Sequence, residues 1–421
     1  MFLSGFFLIS TATISSDRGR IPVRLFENAG IGAVTLENRI IRSATFEGMC
    51  DAQGAPTDRY VNFYASLAKH HIGGIVTGFA FVNKDGRAMQ PGQAGIDGND
   101  KIPRFAELTK NVHRHGGIVF LQIAHAGRQT VPSATGGKVY GPSAKKSGYF
   151  TVKPSRLSLL QAESIINDFG RAAQRGREAG FDGVQVHAAH GYLIHQFLNP
   201  AVNDRSDAYG IDPHSGIGTE FLGRVLQCIR ASCGSDYPVL VKISAGDEYH
   251  RGMKRPEFVN LIRFLDAQKV DAVEISWGTM DRPLNIFRGA TVPVQAILDY
   301  NPVYHQHNGL LRMAWKIVAL PVLKKSLKPF TPTYNLPFAR LAREHTKVPL
   351  ICVGGFRSGT EATGAVENDD IDFVSLCRPF LREPSLVLKW RQNRDYRSGC
   401  INCNRCAVMC DSGQPTRCYA Q

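Results

Sequence analysis

No G-x-G-x-x-G follows the first strand-like run of this chain, which argues against a doubly wound dinucleotide-binding frame. No block of lysine and arginine interleaved with aromatics stands out either, although 50 basic residues face 36 acidic ones for a formal charge of +14. That pattern speaks against nucleic acid and leaves anionic ligands or an anionic membrane surface to explain the charge. Apolar runs of bilayer length are also missing. Residues 2–9 are apolar, but the run is short and lacks a basic start. Residues 1–22 are therefore expected to be an extension before the folded region: a poor signal peptide, a weak anchor or, the favoured reading, an over-extended start. Finally, there is no disulfide framework. Five of the ten cysteines (Cys400, Cys403, Cys406, Cys410, Cys418) crowd the last 22 residues, and the others are scattered. This is a metal-cluster distribution, and it predicts a reducing, cytoplasmic compartment.

What is present is a long α/β pattern. At 421 residues, 43% hydrophobic and 20% charged, the chain can bury a large core. Short runs rich in Val, Ile and Leu occur at 39–43, 74–78, 118–123, 183–186, 239–244, 273–276, 350–353 and 373–377. Strands covered on both faces read this way. Between them lie helix-period stretches, such as 103–115 with Phe105, Leu108 and Val112 on one face and Gly116-Gly117 as the stop. Eight strand–helix repeats predict a closed (β/α)8 TIM barrel.

Two segments break the rhythm. Residues 128–160 form a long Gly-, Ser- and Lys-rich loop after the third strand. Roughly residues 282–335 form an insertion between strands six and seven, and its stretch 310–328 mixes apolar residues with Lys316, Lys324, Lys325 and Lys328. A lid over the barrel mouth is the favoured reading. The other is a basic amphipathic surface for a membrane or a partner.

The chemistry gathers at 184–192. There a strand-type run ends in His187, His190 and Tyr192, and a strand end that becomes a loop can aim three such rings into one mouth. After strands seven and eight come Gly354-Gly355 and Cys377-Arg378. These loops are the usual phosphate site of such a barrel, with backbone amides and an arginine on the anion.

These pieces together resemble the old yellow enzyme family of FMN-dependent oxidoreductases, in particular its 2,4-dienoyl-CoA reductase and trimethylamine dehydrogenase branch. The matching residues are Asn38-Arg39-Ile40, 83–87, Gln122, His125-Ala126-Gly127-Arg128, 187–198, 203–210, Gly354-Gly355 and Arg378. The resemblance covers about residues 23–385 and implies an FMN-binding barrel there, with residues 386–421 as a Cys-rich tail. It implies an FMN phosphate on Gly355, Cys377 and Arg378. The ring would be held by backbone at Ala44, Thr45 and Gly78 and by the Gln122 amide, with Lys242 beside the flavin N1–C2 carbonyl. His187 and His190 would grip the carbonyl oxygen of an α,β-unsaturated carbonyl or enoyl substrate while hydride arrives from the flavin, and Tyr192 would give the proton. Two departures stand out. Phe46 replaces the Thr or Cys common near the flavin C4 carbonyl, and Cys377 replaces a glycine.

In the tail, Cys400-x2-Cys403-x2-Cys406-x3-Cys410 has the spacing of a ferredoxin run, with Asp411 where that run has proline. Structural zinc and unligated thiols fit four cysteines as well. The family branch implies a [4Fe-4S] cluster on Cys400, Cys403, Cys406 and Cys418. Electrons would then come from NAD(P)H or through a separate electron-transfer protein. Two rival functions remain: an amine-oxidising, demethylating flavoenzyme, and a membrane-associated electron-transfer module that uses 310–328 as its contact.

Overall fold

The computed structural model describes residues 23–301 and 308–420; the N-terminal extension expected at 1–22 lies outside them. The eight apolar runs become eight parallel strands: β1 (Ile40–Arg42), β2 (Gly74–Val76), β3 (Val119–Ala124), β4 (Gly183–Ala188), β5 (Val239–Ser244), β6 (Ala272–Ser276), β7 (Leu350–Val353) and β8 (Phe373–Leu376). Each pairs in parallel with the next, and β8 pairs back onto β1 at Val374 opposite Ile40, so the sheet closes into a barrel. Every strand residue is buried, as a parallel sheet wrapped by helices requires.

Side-chain alternation explains the inside of the barrel. At the floor, Ile41, Phe120, Leu240, Ile351 and Phe373 meet Ile31 and Leu36 from a hairpin of Ala29–Ile31 and Val34–Leu36 that plugs the bottom. Two residues further along their strands come Ser43, Gln122, Lys242 and Ser375, joined by Gln185 and Glu274. One step higher come His187, Ser244 and Ser276. The barrel is thus oily below and polar above.

Outside, the helix signals hold. The third barrel helix, Leu159–Glu178, starts with a capping box between Ser158 and Gln161, and the second, Ile102–His113, buries Phe105, Leu108 and Val112. The last, Leu386–Gln392, puts Leu386, Val387 and Trp390 into the core, so barrel packing runs past residue 385.

In the insertion, Gly309–Ala314, Trp315–Ala319 and Leu320–Ser326 run on as one helical stretch. Its middle is a π turn, placed where Pro321 has no N–H to offer the carbonyl of Ile317. None of its residues is fully buried, yet Trp315 and Leu323, with Leu327 just beyond, line the cavity at the barrel mouth. It is a lid, as the favoured reading predicts. Among the described residues no helix is long and apolar enough to cross a membrane.

Candidate active site

The site stands on a buried polar layer. The Glu274 carboxylate accepts from Ser43 Oγ at 2.5 Å, Ser375 Oγ at 2.7 Å and Gln185 Nε2 at 2.9 Å, and lies 3.3 Å from Lys242 Nζ. Lys242 also donates to Ser43 Oγ at 2.7 Å, and Gln122 Nε2 donates to Gln185 Oε1 at 2.7 Å. Glu274 is fully buried and Lys242 nearly so. A charged pair so deep is tolerated because its polar atoms are bonded from several sides, which fixes the ammonium at one place under the mouth.

Above this layer the β4 end turns sharply. His190 and Gly191 follow one another at φ +61° and +78°, a left-handed pair that reverses the chain and brings Tyr192 back over the barrel. His190 is held in that costly conformation by its own N–H on Ser244 Oγ at 3.0 Å and its Nε2 against Ser276 Oγ at 2.8 Å. The His187 ring lies 5.1 Å from that of His190 and 5.0 Å from that of Tyr192, with Phe79 packed 5.1 Å from Tyr192. Nδ1 of His187 is buried with no hydrogen-bond partner. Such an atom is costly unless a ligand meets it.

Burial, with the Lys242 charge and the other histidines added, drives both His187 and His190 well below the ordinary histidine range. Both rings are therefore neutral at physiological pH, each with one N–H to give. Burial pushes the Tyr192 phenol up, so it keeps its proton.

These rings open into a cavity of about 330 Å³ that Ala44, Thr45, Phe46, Gln122, Lys242, Cys377 and Arg378 also line. A narrower extension shares Ala44, His190, Lys242, Cys377 and Arg378 with it and ends at Gly354-Gly355. Nearly every residue expected to touch flavin or substrate thus faces one continuous space. Gly78 does not: its N–H donates to Glu47 at 2.7 Å. Phe46 faces the cavity, with its ring 6.1 Å from that of Phe79. On the far side, Asp281 pins the loop 128–160 by accepting from Arg128 at 2.8 Å, Gln129 at 3.1 Å and the Gly148 N–H at 3.0 Å.

The tail is part of the same wall. Cys406, Val408, Cys410 and Asp411 line the cavity, and Asp411 accepts from Gln90 at 3.0 Å and Asn301 at 2.9 Å. Burial raises that carboxyl to about 6. Cys400, Cys403, Cys406 and Cys418 line a second, small cavity together with Arg378, whose guanidinium bonds Asn404; Cys410 is not among them. Among the described residues no group of three or more His, Cys, Asp or Glu side chains is in position to hold a metal ion as it stands.

Sequence reasoning missed Glu274, Gln185 and Ser276. Their signal was visible: polar residues inside apolar strand runs, in phase with Lys242 and His187 across the register. Asp411 gave no such signal, since its partners Gln90 and Asn301 are far away in sequence.

The model of the NADH:flavin oxidoreductase / NADH oxidase family matches residues 24–296 and 311–397. The chain is 30% identical over 399 residues to 4,4'-dithiodibutanoate disulfide reductase of Rhodococcus erythropolis, covering 94% of this chain and 95% of the relative. It is 30% identical over 361 residues to NADPH dehydrogenase of Geobacillus thermodenitrificans, covering 86% and 91%. Among solved structures, a complex of 2-naphthoyl-CoA reductase superposes with a TM-score of 0.74 at 23% identity, over 90% of this chain but only 54% of that one. An old yellow enzyme homologue from Zymomonas mobilis gives 0.69 at 22% identity, over 89% and 94%. At these identities the two structures speak to the fold alone.

Proposed function

The chain belongs to the NADH:flavin oxidoreductase / NADH oxidase family, the old yellow enzymes, and from that premise we propose that it is an ene-reductase whose catalytic residues are His187, His190 and Tyr192. The observation that carries this reading is the convergence of two neutral imidazoles and a protonated phenol on one cavity above a fixed ammonium. The cavity and its extension fit FMN: a broad mouth with Gln122 and Lys242, then a neck to the Gly355 loop, Cys377 and Arg378. Ala44 and Thr45 would hold the ring by their backbone. Gly78, whose amide is taken by Glu47, would not. When bound, FMN would supply two-electron hydride chemistry between NAD(P)H and the substrate.

The chain's own residues do the rest. Neutral His187 and His190 each give an N–H to the carbonyl oxygen of an α,β-unsaturated substrate and draw charge toward it. Tyr192, kept as a phenol, gives the proton to the α carbon. Lys242, held by Glu274, would place a positive charge beside the ring and favour electron uptake by it. Phe46 cannot donate to the ring, which leaves the tuning of its potential to other neighbours.

The four thiols of the tail have the donor chemistry of a [4Fe-4S] cluster, and Cys418, which shares the small cavity, supports its choice over Cys410 as fourth ligand. Ligation would draw in sulfurs that now share a cavity wall. A cluster supplies one-electron transfer, and a separate electron-transfer protein would then exchange electrons with it. Absorbance spectra with iron and sulfide assays, on protein purified without air, test this. Flavin without iron leaves a self-sufficient NAD(P)H-dependent reductase.

Tyr192→Phe tests the catalytic assignment. Reoxidation of the reduced enzyme by an enone should slow by about 10²–10⁴-fold, while reduction by NAD(P)H stays unchanged. Equal loss in both half-reactions removes the proton-donor role.

A further inference from the structure

The lid has two faces, and the cavity uses only one. Arg312, Trp315, Ala319, Leu323 and Ser326 recur at helical spacing and are half-buried toward the barrel. The opposite face carries Leu310, Leu311, Met313, Ile317, Val318 and Val322, each between 52% and 80% exposed. These six are most of the ten large hydrophobic residues exposed anywhere among the described residues. An apolar patch concentrated in this way on one helix marks a surface that meets something other than water.

Charge tells what that is. From 309 to 328 there is no Asp or Glu, while Lys316, Lys324 and Lys325 are exposed beside the apolar residues. Arg312 is paired with Asp299 at 2.9 Å, and Lys328 lies over the Trp277 ring at 5.0 Å, so these two cations are already engaged. A helix with an apolar face, flanking lysines and no acid matches the in-plane lipid-binding type. A protein partner would need its own acidic rim. An anionic bilayer offers both the apolar depth and the negative surface at once.

We propose that the outer face of this lid helix docks on an anionic phospholipid bilayer, which sets the barrel mouth down at the membrane surface. The inner face of the same helix lines the substrate cavity through Trp315 and Leu323, so docking and access to the mouth share one element. The docking does not depend on the reaction assigned above.

The test is co-sedimentation of the full chain with phosphatidylcholine vesicles, with and without phosphatidylglycerol. Binding is expected only with the anionic lipid and should weaken as salt is raised. The triple variant K316Q/K324Q/K325Q should lose about a hundredfold in partition coefficient. Ile317→Ser with Val318→Ser should weaken binding at every salt concentration. Both variants should keep wild-type turnover of a small water-soluble enone, which separates failed docking from failed chemistry. Equal binding to neutral and anionic vesicles overturns the proposal, as does no binding to either. Self-association in the absence of lipid that Ile317→Ser abolishes also overturns it, and makes this face a contact between copies of the chain.

Discussion

The two walls of the cavity are built by opposite rules. On the barrel side the polar groups lie in a layer where Glu274, Lys242, Gln185, Gln122 and two serines bond one another out of reach of water. On the lid side the helix from 309 to 326 has no fully buried residue and is apolar on both faces. The barrel wall must hold charges and rings at fixed places, which takes many mutually supporting bonds. The lid wall is held instead by a few bonds at its ends, Arg312 to Asp299 and Asn285 to the backbone of Ser326 and Lys328. A segment with few buried contacts contributes little to global stability.

The largest effect should come from breaking the barrel wall at its centre. Glu274→Gln leaves Lys242 buried beside a neutral group and should cost about 3–5 kcal/mol of stability, read by denaturant unfolding. The double variant Glu274→Gln with Lys242→Met should recover much of that loss, since neither charge then remains. A single-variant cost comparable to that of a surface change would erase the contrast between the walls.

That contrast also explains what was legible. Eight apolar runs and the parity of their side chains were enough to place the barrel, because local pattern and burial agree in a parallel sheet. His187, His190 and Tyr192 were visible as polar rings at a strand end. Glu274 was harder, since a lone carboxylate in the run of β6 reads as an interruption until the register sets it beside Lys242. The lid's two faces were not separable by pattern, because apolar residues recur on both sides of the helix among the lysines and do not say which side is inward. The tail's place in the cavity wall was not legible at all. The bonds of Asp411 to Gln90 and Asn301 join residues far apart in sequence.

The next effect is a pH dependence from the barrel side. Burial holds His187 and His190 well below the ordinary range, brings His125 down to about 3, and brings His195 to about 4 against the opposing pull of Asp247. The unfolded chain protonates all four near pH 6.5 and the folded chain does not. Their penalty is thus absent above about pH 6.5 and grows as pH falls, by about 1.4 kcal/mol per pH unit for each histidine until its folded pKa is reached. Buried Glu47 and Glu248, raised to about 7, and Asp411, raised to about 6, act in the opposite direction over the same range, so the histidine contribution is read as a difference: the wild-type melting temperature should fall relative to that of His125→Gln between pH 7.5 and 5. A constant difference down to pH 4.5 would mean that this ring meets water or a partner in solution.

The smallest effect belongs to the lid. Val322 is 66% exposed on the outer face, so Val322→Ser removes little burial and leaves the backbone bonds of the helix intact. The expected change in stability is within about 0.5 kcal/mol, the range for surface substitutions that touch no special feature. Serine and valine also differ little in helix propensity, so neither term should tip the balance. Denaturant midpoints of the two proteins should coincide. If Val322→Ser instead destabilised by an amount near that of Glu274→Gln, the outer face would have to be packed in solution against another surface, and the lid would follow the same rule as the barrel wall opposite it.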